Sequence, residues 1–277
     1  MRKRLGSLLL FTAVLVGCVT SLPSATAQSV VALNSVAMAG KQRMLSLRVL
    51  KAYAQLSLNV MPEKASAILA ASLEELRTSN AALRSQAKDS ALLALQSQAT
   101  LIDKLAAVTT MPPSAATVQQ AAQVSEDLLN NAETVTQAFV KSGAEAPAAM
   151  VNLAARQRML SQRAASAYLA YQTAAKSPEM KARALKATAD FKTAISAFDD
   201  AKAEFPQIAD RIEMARVQMV FFDHALSNID SPTKEQFVTI ATTSERILGE
   251  MDSMTSEIVK QLAGRNAATP TTLAKKK

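Results

Sequence analysis

The octapeptide Lys41-Gln42-Arg43-Met44-Leu45-Ser46-Leu47-Arg48 returns 115 positions later as Arg156-Gln157-Arg158-Met159-Leu160-Ser161-Gln162-Arg163. Six of its eight residues are unchanged, and a tyrosine follows five residues past each final arginine (Tyr53, Tyr168). Guanidinium is planar, permanently charged and armed with paired N–H donors, so it suits a carboxylate or a flat oxyanion better than an ammonium does. Two arginines brought together across an interface repel. An anion between them converts that repulsion into charge-assisted contacts and stabilises the approach of the helices that carry them. The expected ligand site is therefore Arg43 with Arg158, with Ser46 and Ser161 adding hydroxyls one turn on. Gln42, Gln157, Arg48 and Arg163 stand in support. Lys41, Arg156, Arg48 and Arg163 flank the core side, where their long stems lie along apolar surface and their heads meet water or acids of a neighbouring helix. Tyr53 and Tyr168 are expected to fill gaps between helices with their hydroxyls at the rim.

Little other chemistry is written in the chain. His224 is the only histidine, and beside Phe221-Phe222-Asp223 it reads as a partly buried, locally bonded side chain. Neither Cys-x-x-Cys-His nor Glu-x-x-His occurs, and there is no glycine-rich phosphate loop or serine elbow. The twelve methionines are spread at core spacing, as gap fillers. The expectation is a protein that is no enzyme and holds no cofactor or metal.

The elements that must position the arginines are helices. Six glycines, no tryptophan and 4% aromatics, among abundant Ala, Leu, Gln, Lys and Glu, make an all-α chain. Apolar spacing of three and four, interrupted at Pro62, Pro112-Pro113, Ser177-Pro178, Pro206 and Ser231-Pro232, predicts helices near 29–60, 63–86, 90–109, 114–142, 146–176, 178–203, 207–228 and 232–263. The repeat reaches beyond the octapeptide: Pro62-Glu63 answers Pro178-Glu179, Ser125-Glu126 answers Ser244-Glu245, and Val140-Lys141 answers Val259-Lys260. Glycine and proline sit close together at 141–147, so two tandem antiparallel four-helix bundles are expected, at 29–142 and 146–264. On a helical wheel Met38, Leu45, Val49, Ala52 and Leu56 share one face, as do Leu153, Leu160, Ala164, Ala167 and Tyr171. Arg43 lies about 200° from Leu45, framed by Val36, Ala39, Ser46, Leu47 and Leu50. An arginine framed by small and apolar residues predicts a second buried surface on the helix.

Residues 1–27 read as a signal peptide. Arg2, Lys3 and Arg4 form a basic start, Leu5 to Val16 an apolar stretch too short for a membrane span, and Ala25-Thr26-Ala27 a cleavage site. The alternative is lipidation of Cys18 in Leu15-Val16-Gly17-Cys18. Either reading predicts export to the periplasm without disulfides, which removes nucleic acid as a partner. Cleavage lowers the formal charge from +8 to +5, and residues 265–277, ending in Lys275-Lys276-Lys277, read as a disordered basic tail.

With its flanking Ala39-Gly40, Ala154-Ala155 and Asn152, the repeated word resembles the signature of the sensor domain shared by type IV pili methyl-accepting chemotaxis transducers of the PilJ type and nitrate/nitrite sensor kinases of the NarX type. The resemblance implies two copies of a periplasmic four-helix sensor bundle linked to signal transduction. It also implies that the positions of Arg43 and Arg158 bind a small anion such as nitrate or nitrite where lead helices meet, within the chain or in a homodimer. Two functions are thus expected: a sensor or binding protein for a small oxyanion, or a structural or adaptor protein of the envelope associated with pilus or chemosensory machinery. The adaptor predicts a buried arginine paired with a carboxylate of the other half. The sensor predicts an open, positively charged notch between Arg43 and Arg158.

Overall fold

Helix starts are set by the punctuation read above. In the computed structural model, which describes residues 25–142, 145–173 and 176–268, Pro62 and Pro178 stand in the first turns of α2 (Pro62–Arg84) and α6 (Pro178–Ser196), where a missing N–H costs nothing. α4 (Ala115–Ser142) is capped reciprocally: the Ser114 N–H donates to the Thr117 hydroxyl oxygen and the Thr117 N–H to the Ser114 hydroxyl oxygen. α9 (Lys234–Ala268) starts two residues later than its proline predicts. There the Thr233 N–H donates to Gln236 Oε1 and the Gln236 N–H to Thr233 Oγ1, so the cap is Thr233 rather than Ser231.

α1 (Ala25–Ser57), α3 (Asp89–Thr109), α5 (Glu145–Tyr171) and α8 (Ala209–Ser227) complete eight long helices, and no strand occurs among the described residues. The predicted helix 178–203 is broken. α6 stops at Ser196, the four-residue α7 follows at Phe198–Ala201, and a 3-10 turn at Pro206–Ile208 leads into α8. Phe205, kept out of the helical conformation before Pro206 (φ −127°, ψ 67°), is buried together with Phe198. The leader up to residue 24, Cys18 and Lys275–Lys277 lie outside the described residues.

Within 25–142, α1 packs on α2 and α4, and α3 on α2 and α4. Within 145–268, α5 packs on α6 and α9, and α8 on α9. The halves meet chiefly where α1 lies against α5, with α1 also touching α9 and α4 touching α5. Their buried side chains form one continuous apolar cluster. α1 and α5 are thus buried almost all round: Val36, Ala39, Leu47 and Leu50 on the arginine face are as covered as Leu45, Val49 and Ala52 on the other. That is why neither helix has a distinct polar side.

The two helices approach closely beside the repeated word. A Cβ placed on Gly40 would lie 2.7 Å from Ala155 Cβ and 3.1 Å from Arg43 Nη2. Gly40 and Ala155 are equivalent positions, 115 apart. The two copies of the word therefore cross at matching residues, about a local pseudo-twofold axis. None of the described helices is long and apolar enough to cross a membrane.

Candidate functional site at the crossing of the lead helices

Both repeated arginines are interior. Arg43 is 1% exposed and Arg158 3%, each in the face predicted for a second buried surface. A guanidinium out of water needs acceptors, and both obtain them in the same way. Arg43 Nη1 donates to Glu133 Oε2 at 2.5 Å and Nη2 to Asn152 Oδ1 at 2.7 Å. Arg158 Nη1 donates to Asp252 Oδ1 at 2.6 Å and Nη2 to the carbonyl oxygen of Ala37 at 2.9 Å. Glu133 and Asp252 are 119 apart, the offset of the other matching pairs on α4 and α9, and Ala37 and Asn152 are 115 apart. Each arginine thus holds a carboxylate of its own half with one arm and grips the other half with the second.

The pairing is lopsided at the remaining nitrogen. Arg43 Nε reaches the Gly40 carbonyl oxygen at 3.5 Å, whereas Arg158 Nε is buried with no acceptor. Burial lowers both arginine pKa values, opposed by Glu133 and Asp252 respectively, and the charge of Arg43 adds to the lowering at Arg158. Burial pushes Glu133 up, but the Gln137 amide and Arg43 together outweigh it and hold the carboxyl below its usual range. The acids lie at the outer edge, with side chains 45% exposed for Glu133 and 42% for Asp252. A surface depression of about 480 Å³ opens beside Arg158 and Asp252, rimmed by Lys41, Glu75, Ala37 and Met38. Its two cations and two carboxylates make it mixed in charge.

The outer arginines of the word make a second, reciprocal pair of clamps. Arg48 donates from Nη2 to Glu245 Oε2 at 2.6 Å and from Nε to Oε1 at 3.2 Å. Arg163 Nη2 donates to Glu126 Oε1 at 2.7 Å. Arg48 of the first half holds an acid of the second, and Arg163 of the second holds the equivalent acid of the first. Each acid takes another cation: Lys51 on Glu245, and Arg183 on Glu126 at 2.8 Å. Lys51 is fully buried, and burial pulls its pKa down to about 8 despite Glu245. Burial alone would raise Glu245, but Lys51 and Arg48 hold it at about 2.

Several predicted partners serve elsewhere. The Ser46 and Ser161 hydroxyls donate to the carbonyl oxygens of Arg43 and Arg158, at 2.9 Å each, back into their own helices. Gln42 is buried in its own half, donating to Ser79 Oγ at 3.1 Å and accepting from the Gln98 amide. Gln157 is buried with its Oε1 unpartnered. Neither side chain hydrogen-bonds an arginine of the word. Lys41 pairs with Glu75, and Arg156 is exposed. Tyr53 and Tyr168 are buried rather than at a rim, because carbonyl oxygens at the far helix ends receive their hydroxyls: Met111 at 3.0 Å and Ala225 at 3.5 Å. Burial raises Tyr168 to about 12. His224 is exposed rather than partly buried, because α8 turns that side away from α9.

Sequence reading missed Glu133, Asp252 and Lys51. The first two were within reach, since the offset of 119 that relates Glu126 to Glu245 relates them as well; Lys51 corresponds to Ser166 and leaves no repeat signal. Among the described residues no group of three His, Cys, Asp or Glu side chains is placed to hold a metal. No family model, curated protein or solved structure matches the chain.

Proposed function

We propose that this chain is an exported, non-enzymatic adaptor of the bacterial envelope, built as two tandem four-helix bundles of the PilJ/NarX sensor kind and joined rigidly through the repeated word. One observation carries the reading: the carboxylate each buried arginine holds belongs to its own half rather than, as expected, to the other, but its second arm grips the opposite half, and Arg48 and Arg163 supply the ion pairs between halves. Such a site spends its charge on fixing the relation between the halves, as buried ion pairs do when they specify one arrangement. A protein that presents partners at a fixed spacing to pilus or chemosensory machinery needs that rigidity.

A second reading, a sensor for a small oxyanion, is favoured by the unpartnered Arg158 Nε and the partly exposed Asp252. A nitrate-sized anion would have to displace that carboxylate and bind one arrangement of the halves more tightly than the other. Thermal unfolding and calorimetry against nitrate, nitrite, sulfate and small carboxylates separate the two. The adaptor predicts no shift beyond the general salt effect. The sensor predicts a midpoint rising with the logarithm of one anion's concentration, and loss of that rise in Arg43→Lys/Arg158→Lys.

A further inference from the structure

We propose that two copies of this chain pair through α8, antiparallel, about a twofold axis near Val217. Met214, Val217, Val220 and Phe221 are 48%, 52%, 66% and 52% exposed. Asp210, Met214, Val217, Phe221, His224 and Asn228 follow one another at spacings of four and three, the seam of a helix pair, and all six are exposed.

The first half supplies an internal control. Buried Leu95, Gln98, Ile102 and Leu105 on α3 correspond to buried Ala215, Gln218, Phe222 and Ala225 on α8, each 120 apart, which fixes the register. In that register the stripe residues Met214, Val217 and Val220 answer Ala94, Ser97 and Thr100, while Phe221 answers Leu101, which is partly buried against the core. The apolar stripe thus belongs to α8 alone and does not follow from the shared fold.

Hydrogen-bonding groups at the two ends of the stripe select a second copy as the occupant, an imidazole N–H facing a carboxylate. Asp210 and His224 end the stripe seven residues either side of Val217, and neither side chain has a hydrogen bond or ion pair among the described residues. The neighbouring Arg211 and Arg216 are already engaged, by Glu250 and by Asp199 with Glu213. An antiparallel pair about Val217 sets Asp210 of each copy against His224 of the other. A parallel pair would set aspartate against aspartate. The stripe offers a few hundred Å² of apolar surface, and a groove of about 220 Å³ continues it between α6 and α8, lined by Phe191, Ile195, Met219 and Val220. An interface of that size is smaller than the roughly 800 Å² per partner of a standard one, so the pair should be weak and concentration-dependent.

Sedimentation velocity on the purified chain, from low to hundreds of micromolar, tests this. The expected result is a concentration-dependent dimer whose dissociation constant rises at least about tenfold in Val217→Asp, with helicity unchanged and the unfolding midpoint nearly so at concentrations where both proteins are monomeric, because the side chain is exposed. Asp210→Lys should weaken the dimer, and the swap Asp210→Lys/His224→Asp should restore it. Three results would overturn the proposal: a chain monomeric throughout, a dimer indifferent to Val217→Asp, or a monomer whose binding to phosphatidylglycerol vesicles Val217→Asp abolishes, which would give the stripe to lipid.

Discussion

A cation taken wholly out of water is tolerated only while its counter-ion stays, and Lys51 is the most fully buried cation among the described residues. Glu245→Gln would leave Lys51 and Arg48 facing a neutral amide, and should cost about 3–5 kcal/mol in denaturant unfolding. Glu126→Gln should cost roughly half as much or less, because Arg163 and Arg183 keep part of their surface in water. The same cluster sets a pH response. Below about 8, Lys51 is protonated in both the folded and unfolded chain, and folding bears the burial penalty in full. Between about 8 and 10.5 the unfolded chain binds the proton and the folded one does not, so stability should rise with pH by a few kcal/mol. Subtracting the curve of Lys51→Met removes tyrosine ionisation and should isolate that rise. At the acid end Glu245 is held at about 2 against an ordinary 4.5. Its contribution is fully present above 4.5 and fades as pH falls toward 2.

Helix α1 can lie against α5 only because position 40 has no side chain. Gly40→Ala adds helix propensity worth about 1 kcal/mol, yet its Cβ would meet Ala155 Cβ at 2.7 Å, inside contact distance. Overpacking should win, with a net loss of about 1–3 kcal/mol and weakened Arg43 bonds to Asn152; urea unfolding of Gly40→Ala beside Gly249→Ala, whose added Cβ meets nothing, measures the difference. A stable Gly40→Ala protein would show that the helices part without cost. Much of this element-level order was legible in the sequence. The proline and serine punctuation placed seven of the long helices to within a few residues, and the wheel separated Arg43 from Leu45 onto a second covered surface. The break after Ser196 was not legible, because it serves the burial of Phe198 and Phe205, a tertiary gain with no local signal. Nor was the choice between a carboxylate and a free anion for each arginine, because it depends on which faces of α4 and α9 reach the crossing.

At the scale of the whole molecule, one continuous core and four ion-pair clamps across or beside the crossing make the halves mutually dependent. The intact chain should therefore unfold in a single transition, with calorimetric and van't Hoff enthalpies equal. A fragment holding only residues 25–142 would expose the face of α1 that carries Arg43, Val36, Ala39 and Leu50, stripped of α5. Because the two words are equivalent about the crossing, a second fragment can supply what α5 supplied, Gly40 meeting Gly40 where it had met Ala155. The fragment should thus form a symmetric dimer, although Ala37 replaces Asn152 and offers Arg43 only a backbone carbonyl, as it does Arg158 in the intact chain. Since it lacks α8, this association is independent of the α8 stripe, and Arg43→Ala should abolish it while Val217→Asp has no counterpart to touch. A fragment that is folded and monomeric by light scattering and circular dichroism would mean that the crossing is incidental to stability, and would take with it the claim that the repeated word exists to join the halves.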